Sequence, residues 1–340
     1  MVGRQGEDDG PEAISMTSQQ PMHRVSASAT AMLPNPSTMK DSPAVERALS
    51  RSKVYLLVSW SLLYPEDEEF LDYLRCGEFV EDGRTALDAL GVALGADGSQ
   101  RAKDKLVALK KQLDLVEGLI ASECVNWQLS DLQSEHRRVF SNVITLDCPP
   151  YETLFGNDHV FAQSHVMGDI SGFYKAFGVE LSKDIHERLD HLSVEFEFMH
   201  FLAYKESYSL CHDGPEKTQI VVEAQKKFVK NHIGRWVPLF CRMLAKKADS
   251  GLFKLVADMT ADWMEFETAF LAVTPQPYTE TDYRPATFSS PEGQTYECGA
   301  QDQGNELSML LNEVGAQSFM DVKEKDKDKD QEEGRPSGTA

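Results

Sequence analysis

Two short runs in the chain concentrate the side chains that can do chemistry. The first, Leu146 to Thr153, reads LDCPPYET. Its adjacent prolines, Pro149 and Pro150, set an extended backbone that cannot continue a helix. Tyr151 and Glu152 are then presented together, an aromatic ring beside a carboxylate, which suits the holding of an extended peptide. A stiff connector between two helices would need the same residues. Cys148 has no base that the sequence places beside it, so it reads as a buried thiol rather than a nucleophile.

The second run is Glu187 to His191, ERLDH, with Glu195 and Glu197 following. The pattern places Asp190 in the first turn of a helix, where a carboxylate gains about 0.3–1 kcal/mol from the helix dipole and caps backbone N–H groups. His191 titrates near neutrality and can donate a hydrogen bond to a partner. Glu195 and Glu197 add negative charge one turn on, which is either complementary to a doubly cationic ligand or simply a solvated helix face. A metal site built from His186, His191, Glu195 and His200 is the competing reading, a hydrolase on a helical fold. Neither HExxH nor a four-cysteine set occurs to support it. GxxxxGK[ST] and GxGxxG are also absent, so no cofactor, metal or catalytic residue is expected. In a third run, FVKNHIGRWVPLF from Phe228 to Phe240, helical spacing makes Trp236 a core anchor. His232 is expected to bond to a nearby backbone group.

The elements that position these runs read as helices throughout. Ser42 and Pro43 supply a cap and a first-turn proline, and Leu49, Leu56, Trp60 and Leu63 follow near one face until Pro65. A further helix starts at Glu66. Leu106, Leu109, Leu113, Val116 and Ile120 recur at intervals of three and four. Ser130 with Gln133 fits a capping box. Phe161 to Phe177 ends at Gly178, a residue suited to a left-handed cap. Leu189, Leu192, Phe196, Met199 and Ala203 mark the clearest helix, and Pro215 opens the next. Two more lie around Pro238 to Ala248 and Leu252 to Leu271. No segment alternates long enough to be a strand. The expected fold is all-α: about nine or ten helices in one bundle-like domain over residues 41–273. A disordered tail is expected over 1–40, a loose extension over 274–316 with a short helix at Glu306 to Val314, and a charged tail over 317–340.

Bulk properties narrow the function. The chain has 340 residues, 41% of them hydrophobic, and a formal net charge of -21. That acidity repels nucleic acid and anionic membrane surfaces and suits a cationic partner. The six cysteines form no CxxC pair, which fits reduced thiols in the cytosol. No apolar run is long enough to span a membrane, and no leader pattern opens the chain.

Taken in order, SKVYLLVSWSLLYPEDEEFLDYL, EHRRVF, PPYET, FAQSHVMGDISGFYKAFGV, LDHLSVEFEFMHFL and FVKNHIGRWVPLF resemble the TorD/DmsD/NarJ family of cytoplasmic chaperones for molybdenum enzymes. The shared features run from about Arg51 to Leu271. CPPYETLFG with GDISGFYKAFG is most similar to the branch serving type II enzymes of the dimethyl sulfoxide reductase family. The resemblance implies an all-helical protein, monomeric or dimeric by helix exchange. It also implies a partner: the twin-arginine leader and body of a catalytic subunit of that reductase family, held until its molybdopterin cofactor is inserted. Leader binding carries over onto Asp190 and His191, with Tyr151, Glu152 and Glu195 as further peptide-binding residues. The family often has proline just before the Asp-His pair, where this chain has Leu189. A non-catalytic helical adaptor whose tails recruit something else is the remaining alternative.

Overall fold

Ser42 starts the first helix as expected: its hydroxyl accepts from the Val45 N–H at 3.3 Å, and Pro43 fills the first helical position. The computed structural model describes residues 42–95, 98–140, 147–156, 160–181 and 187–283. Both expected tails and the helix expected at Glu306 to Val314 lie outside these residues. Ten α-helices occur among the described residues: α1 Pro43–Ser61, α2 Glu69–Arg75, α3 Glu78–Leu94, α4 Gln100–Ser122, α5 Leu129–Val139, α6 Val160–Ala176, α7 Leu192–His212, α8 Pro215–Asn231, α9 Ile233–Ala248 and α10 Leu252–Phe270. No strand occurs among them, so the all-α expectation holds.

Several boundaries differ from the pattern reading. The box that opens α5 lies two residues earlier than Ser130: the Asp131 carboxylate accepts from the Gln128 N–H at 2.8 Å. Helix α9 begins at Ile233 rather than near Pro238, which sits inside it. A Cβ on Gly234 would collide with the Val229 carbonyl and with Pro275, so only glycine allows α8 and α9 to meet so tightly. Gly178 ends α6 with φ +68, as a left-handed cap should.

Helix α7 lies at the centre. It packs against α1 and α8, while α1 also lies against α3, and α4 against α10. From Leu192 to Met199 every residue of α7 is buried. A helix buried all round carries no polar stripe. Glu195 and Glu197 are therefore interior groups and not the solvated face that their charge implied.

In α1 the expected stripe of Leu49, Leu56 and Trp60 is only half-buried, and the deep face is Val54, Tyr55, Val58 and Leu62. The fully buried Arg51 shares that interior. Its guanidinium donates to both Glu267 oxygens at 2.7 Å, to Glu206 at 2.9 Å and to Gln225 at 2.6 Å. It also stacks 4.5 Å from the Phe270 ring. Burial by itself would expel this charge, yet Glu267 and Glu206 outweigh it and hold the guanidinium more basic than usual. The cluster ties α1, α7, α8 and α10 together. Arg51→Met leaves Glu267 buried without its cation and is expected to cost about 3–5 kcal/mol in urea unfolding, whereas Arg51→Met with Glu267→Leu recovers much of that loss.

Candidate functional site

The two reactive runs of the sequence meet. The Pro150 carbonyl accepts from the Leu192 N–H at 2.9 Å, and the Asp190 carbonyl accepts from the Glu152 N–H at 3.0 Å, forming an isolated antiparallel bridge between Tyr151 and His191. Leu192 is the first residue of α7, so its N–H has no partner within the helix. The extended proline segment supplies one. Tyr151, Glu152, Asp190, His191 and Glu195 thereby gather into one cluster, although 43 positions separate the first from the last (151 to 195, exclusive).

Their roles differ from those expected. Asp190 lies outside α7, and His191 is the cap: its Nδ1 accepts from the Ser193 N–H at 3.2 Å and lies 2.6 Å from the Ser193 hydroxyl. The fully buried Asp190 carboxylate instead caps the turn across from it. It accepts from the Thr153 N–H at 3.1 Å and from the Thr153 hydroxyl at 2.6 Å. Its outer side receives Arg188, Nε to Oδ1 and Nη2 to Oδ2, both at 2.9 Å. The same guanidinium lies 4.9 Å from the Tyr151 ring, and the Tyr151 hydroxyl donates to Glu187 at 3.2 Å.

Glu152 turns the other way. Both its oxygens lie 3.1 Å from His232 Nδ1, and His232 Nε2 lies 3.2 Å from Asp169 on α6. His232 thus bonds carboxylates, not the backbone group expected of it. It occupies the break between α8 and α9, where the ring is aimed across the bundle. Glu152, Asp169, His232, Lys230, Arg235 and Thr274 help line an open cleft of about 1030 Å³. Residues 273–283 run against its edge: the Tyr278 N–H donates to the Arg235 carbonyl at 2.7 Å, and the Arg235 guanidinium lies 4.5 Å from the Tyr278 ring.

Behind Glu152 lies Glu195, fully buried, accepting from the Trp236 indole N–H at 3.0 Å. Burial raises its pKa well above the carboxylate range, and the neighbouring Glu152 and Asp190 charges raise it further. Burial thus favours the neutral, protonated form of this acid. Tyr174, which donates to the Leu189 carbonyl at 3.0 Å, is likewise pushed far above its usual range by burial and by these acids.

The metal reading finds little here. His191 spends Nδ1 on Ser193, His200 Nδ1 lies 2.8 Å from the Ser52 hydroxyl, and His186 is outside the described residues. Among the described residues no group of three or more His, Cys, Asp or Glu is arranged to hold a metal ion. Cys148 is a buried thiol with its pKa pushed up to about 12 by burial. No helix of the described residues is long and apolar enough to cross a membrane. Sequence reasoning missed Arg188, Thr153 and Asp169. Arg188 stands two residues before Asp190, and its role was not visible without the contact to Thr153.

The described residues thus form an all-α scaffold that presents a polar cluster beside an open cleft. Comparison with known proteins agrees with the motif resemblance. The nitrate reductase delta subunit family profile matches residues 97–242, which include every quoted segment but the first. A perchlorate reductase assembly chaperone protein from Dechloromonas aromatica is 25% identical over 67% of this chain and 94% of its own length. The chaperone protein TorD of Photobacterium profundum is 23% identical over 36% of this chain and 55% of its own. A selenate reductase assembly chaperone protein from Thauera selenatis is 32% identical over 23% of this chain and 40% of its own. No solved structure gave a significant match. The chain is thus similar, over these spans, to proteins named as TorD and as reductase assembly chaperones.

The raised pKa of Glu195 has a sign that can be tested. The folded state retains a proton that the unfolded chain releases near 4.5. Stability is therefore lost as pH rises from that value toward the folded pKa. Glu195→Gln keeps an acceptor for Trp236 without the ionisation. Its melting temperature is expected to gain on the parent progressively above pH 4.5. Parallel curves across pH 4 to 8 would refute the neutral acid.

Proposed function

We propose that the protein is a maturation chaperone for a molybdenum-containing oxidoreductase. In this reading it acts in the cytoplasm, binding the twin-arginine leader and body of the catalytic subunit until the cofactor is inserted. The observation that carries the proposal is the surrounding of Asp190: a buried carboxylate backed by Thr153 and flanked by a tyrosine ring. Such a site takes a planar guanidinium through a two-point hydrogen-bonded fork and a ring face. The resemblance supports the same reading, as do relatives named for the assembly of perchlorate and selenate reductases. The chain's net charge of -21 favours encounter with a basic leader. The cleft beside His232 is available to neighbouring leader residues, its Glu152 and Asp169 carboxylates facing cationic side chains and Lys230 and Arg235 facing acidic ones.

Binding need only be moderate, because the client must later be released. A micromolar complex corresponds to about 8 kcal/mol. Calorimetric titration with the leader peptide of the client is expected to give such an affinity. Changing both leader arginines to lysine should weaken it about tenfold or more, because an ammonium cannot form the fork. Asp190→Asn should weaken it similarly while the far-ultraviolet dichroism stays unchanged. A leader that produces no heat at any attainable concentration would end the proposal.

A further inference from the structure

We propose that Asp190, Thr153 and Tyr151 form a guanidinium-binding site whose occupant in the free protein is the chain's own Arg188, and that an arginine of the ligand binds by taking its place. The inference rests on the reading that an arginine-bearing peptide is the ligand, and it adds the mechanism of entry.

The argument begins with an asymmetry of exposure. The Asp190 side chain is 0% exposed while that of Arg188 is 47% exposed, so the receiving half of the pair is fixed and the occupant stands half in solvent. Arg51 provides the contrast within the same chain. Its side chain is 0% exposed and is clamped by Glu267, Glu206 and Gln225 from three other helices. Arg188 has no such cage. Its contacts are the Asp190 fork, the Thr153 hydroxyl at 2.6 Å from Nη2, and the Tyr151 ring.

The site also survives the departure of Arg188. Asp190 keeps the Thr153 N–H and hydroxyl, which hold its carboxylate in place. The backbone turn keeps the His191 N–H on the Arg188 carbonyl at 3.1 Å, so only the side chain needs to swing away. The Tyr151 backbone stays on the bridge to His191, and its ring keeps the edge-on contact with the His191 ring at 5.2 Å. Desolvating Asp190 has already been met by the fold, and one guanidinium replaces another on the same fork. The exchange is nearly balanced. The tethered arginine competes as an internal ligand at an effective concentration that scales down the apparent affinity for any external one.

Arg188→Ala tests this with two readouts. First, methylguanidinium at tens of millimolar should raise the melting temperature of the variant in a concentration-dependent way. Methylammonium at equal ionic strength should not, and the parent should respond to neither. Adding Asp190→Asn should abolish the rescue. Second, the variant should bind an arginine-containing leader peptide about threefold or more tighter than the parent, because the internal competitor is gone. A variant that shows no methylguanidinium rescue, or binds the peptide more weakly, makes Arg188 a structural clamp and overturns the proposal. If Arg188→Ala fails to fold, Arg188→Gln is read by the same two criteria, and failure of both variants to fold counts as the clamp outcome. Methylguanidinium rescue without peptide binding in either protein would sink the chaperone reading while leaving the guanidinium site standing.

Discussion

The bridge between Tyr151 and His191 is the contact on which the rest of the site depends. Two adjacent prolines hold the loop extended and leave the Pro150 carbonyl to accept from the first N–H of α7. Because the backbone is extended there, consecutive side chains point apart. Tyr151 goes to the Asp190 and Arg188 pair, and Glu152 goes to His232 and the cleft. One peptide segment therefore connects the Asp190 and Arg188 pair to the wider cleft.

The interior handles its charges in two different ways. The cation of Arg51 is matched by carboxylates and an amide from three other helices, which fixes how α1 lies against its neighbours. Glu195 is instead surrounded by other acids, and burial together with their charge raises its pKa and favours its neutral form. In the first solution the cation itself does not titrate in water. The second sits in the first turn of α7, behind the Glu152, His232 and Asp169 chain at the cleft.

The helices were legible because spacings of three and four repeat along most of the chain, and because Ser42, Pro215 and Gly178 punctuate it. The motifs of the resemblance include both reactive runs. Their meeting was not legible: the bridge joins residues forty positions apart, and no local pattern encodes it. Asp190 was read one step inside the helix because Leu189 extends the apolar rhythm of α7, although Leu189 lies before the helix and is only half-buried. Glu195 was read as part of a charged surface because an acid in a sequence carries no sign of its protonation. His232 was given a backbone partner because the break between α8 and α9, which turns its ring toward Glu152, looks like uninterrupted helix in the pattern.

The segment after α10 has a bearing on how the protein comes off the ribosome. Gly156, at φ +87, leaves a gap that a Cβ would close, and the Tyr278 ring fills it. The Gly156 N–H also donates to the Asp282 carbonyl at 3.0 Å, and Tyr283 stacks 5.0 Å from Phe155. A nascent chain that has emerged only as far as Phe270 has all ten described α-helices but lacks Tyr278 to Tyr283, which pack on the proline loop. The packing of that loop is consequently completed only after the last of the described helices has been made.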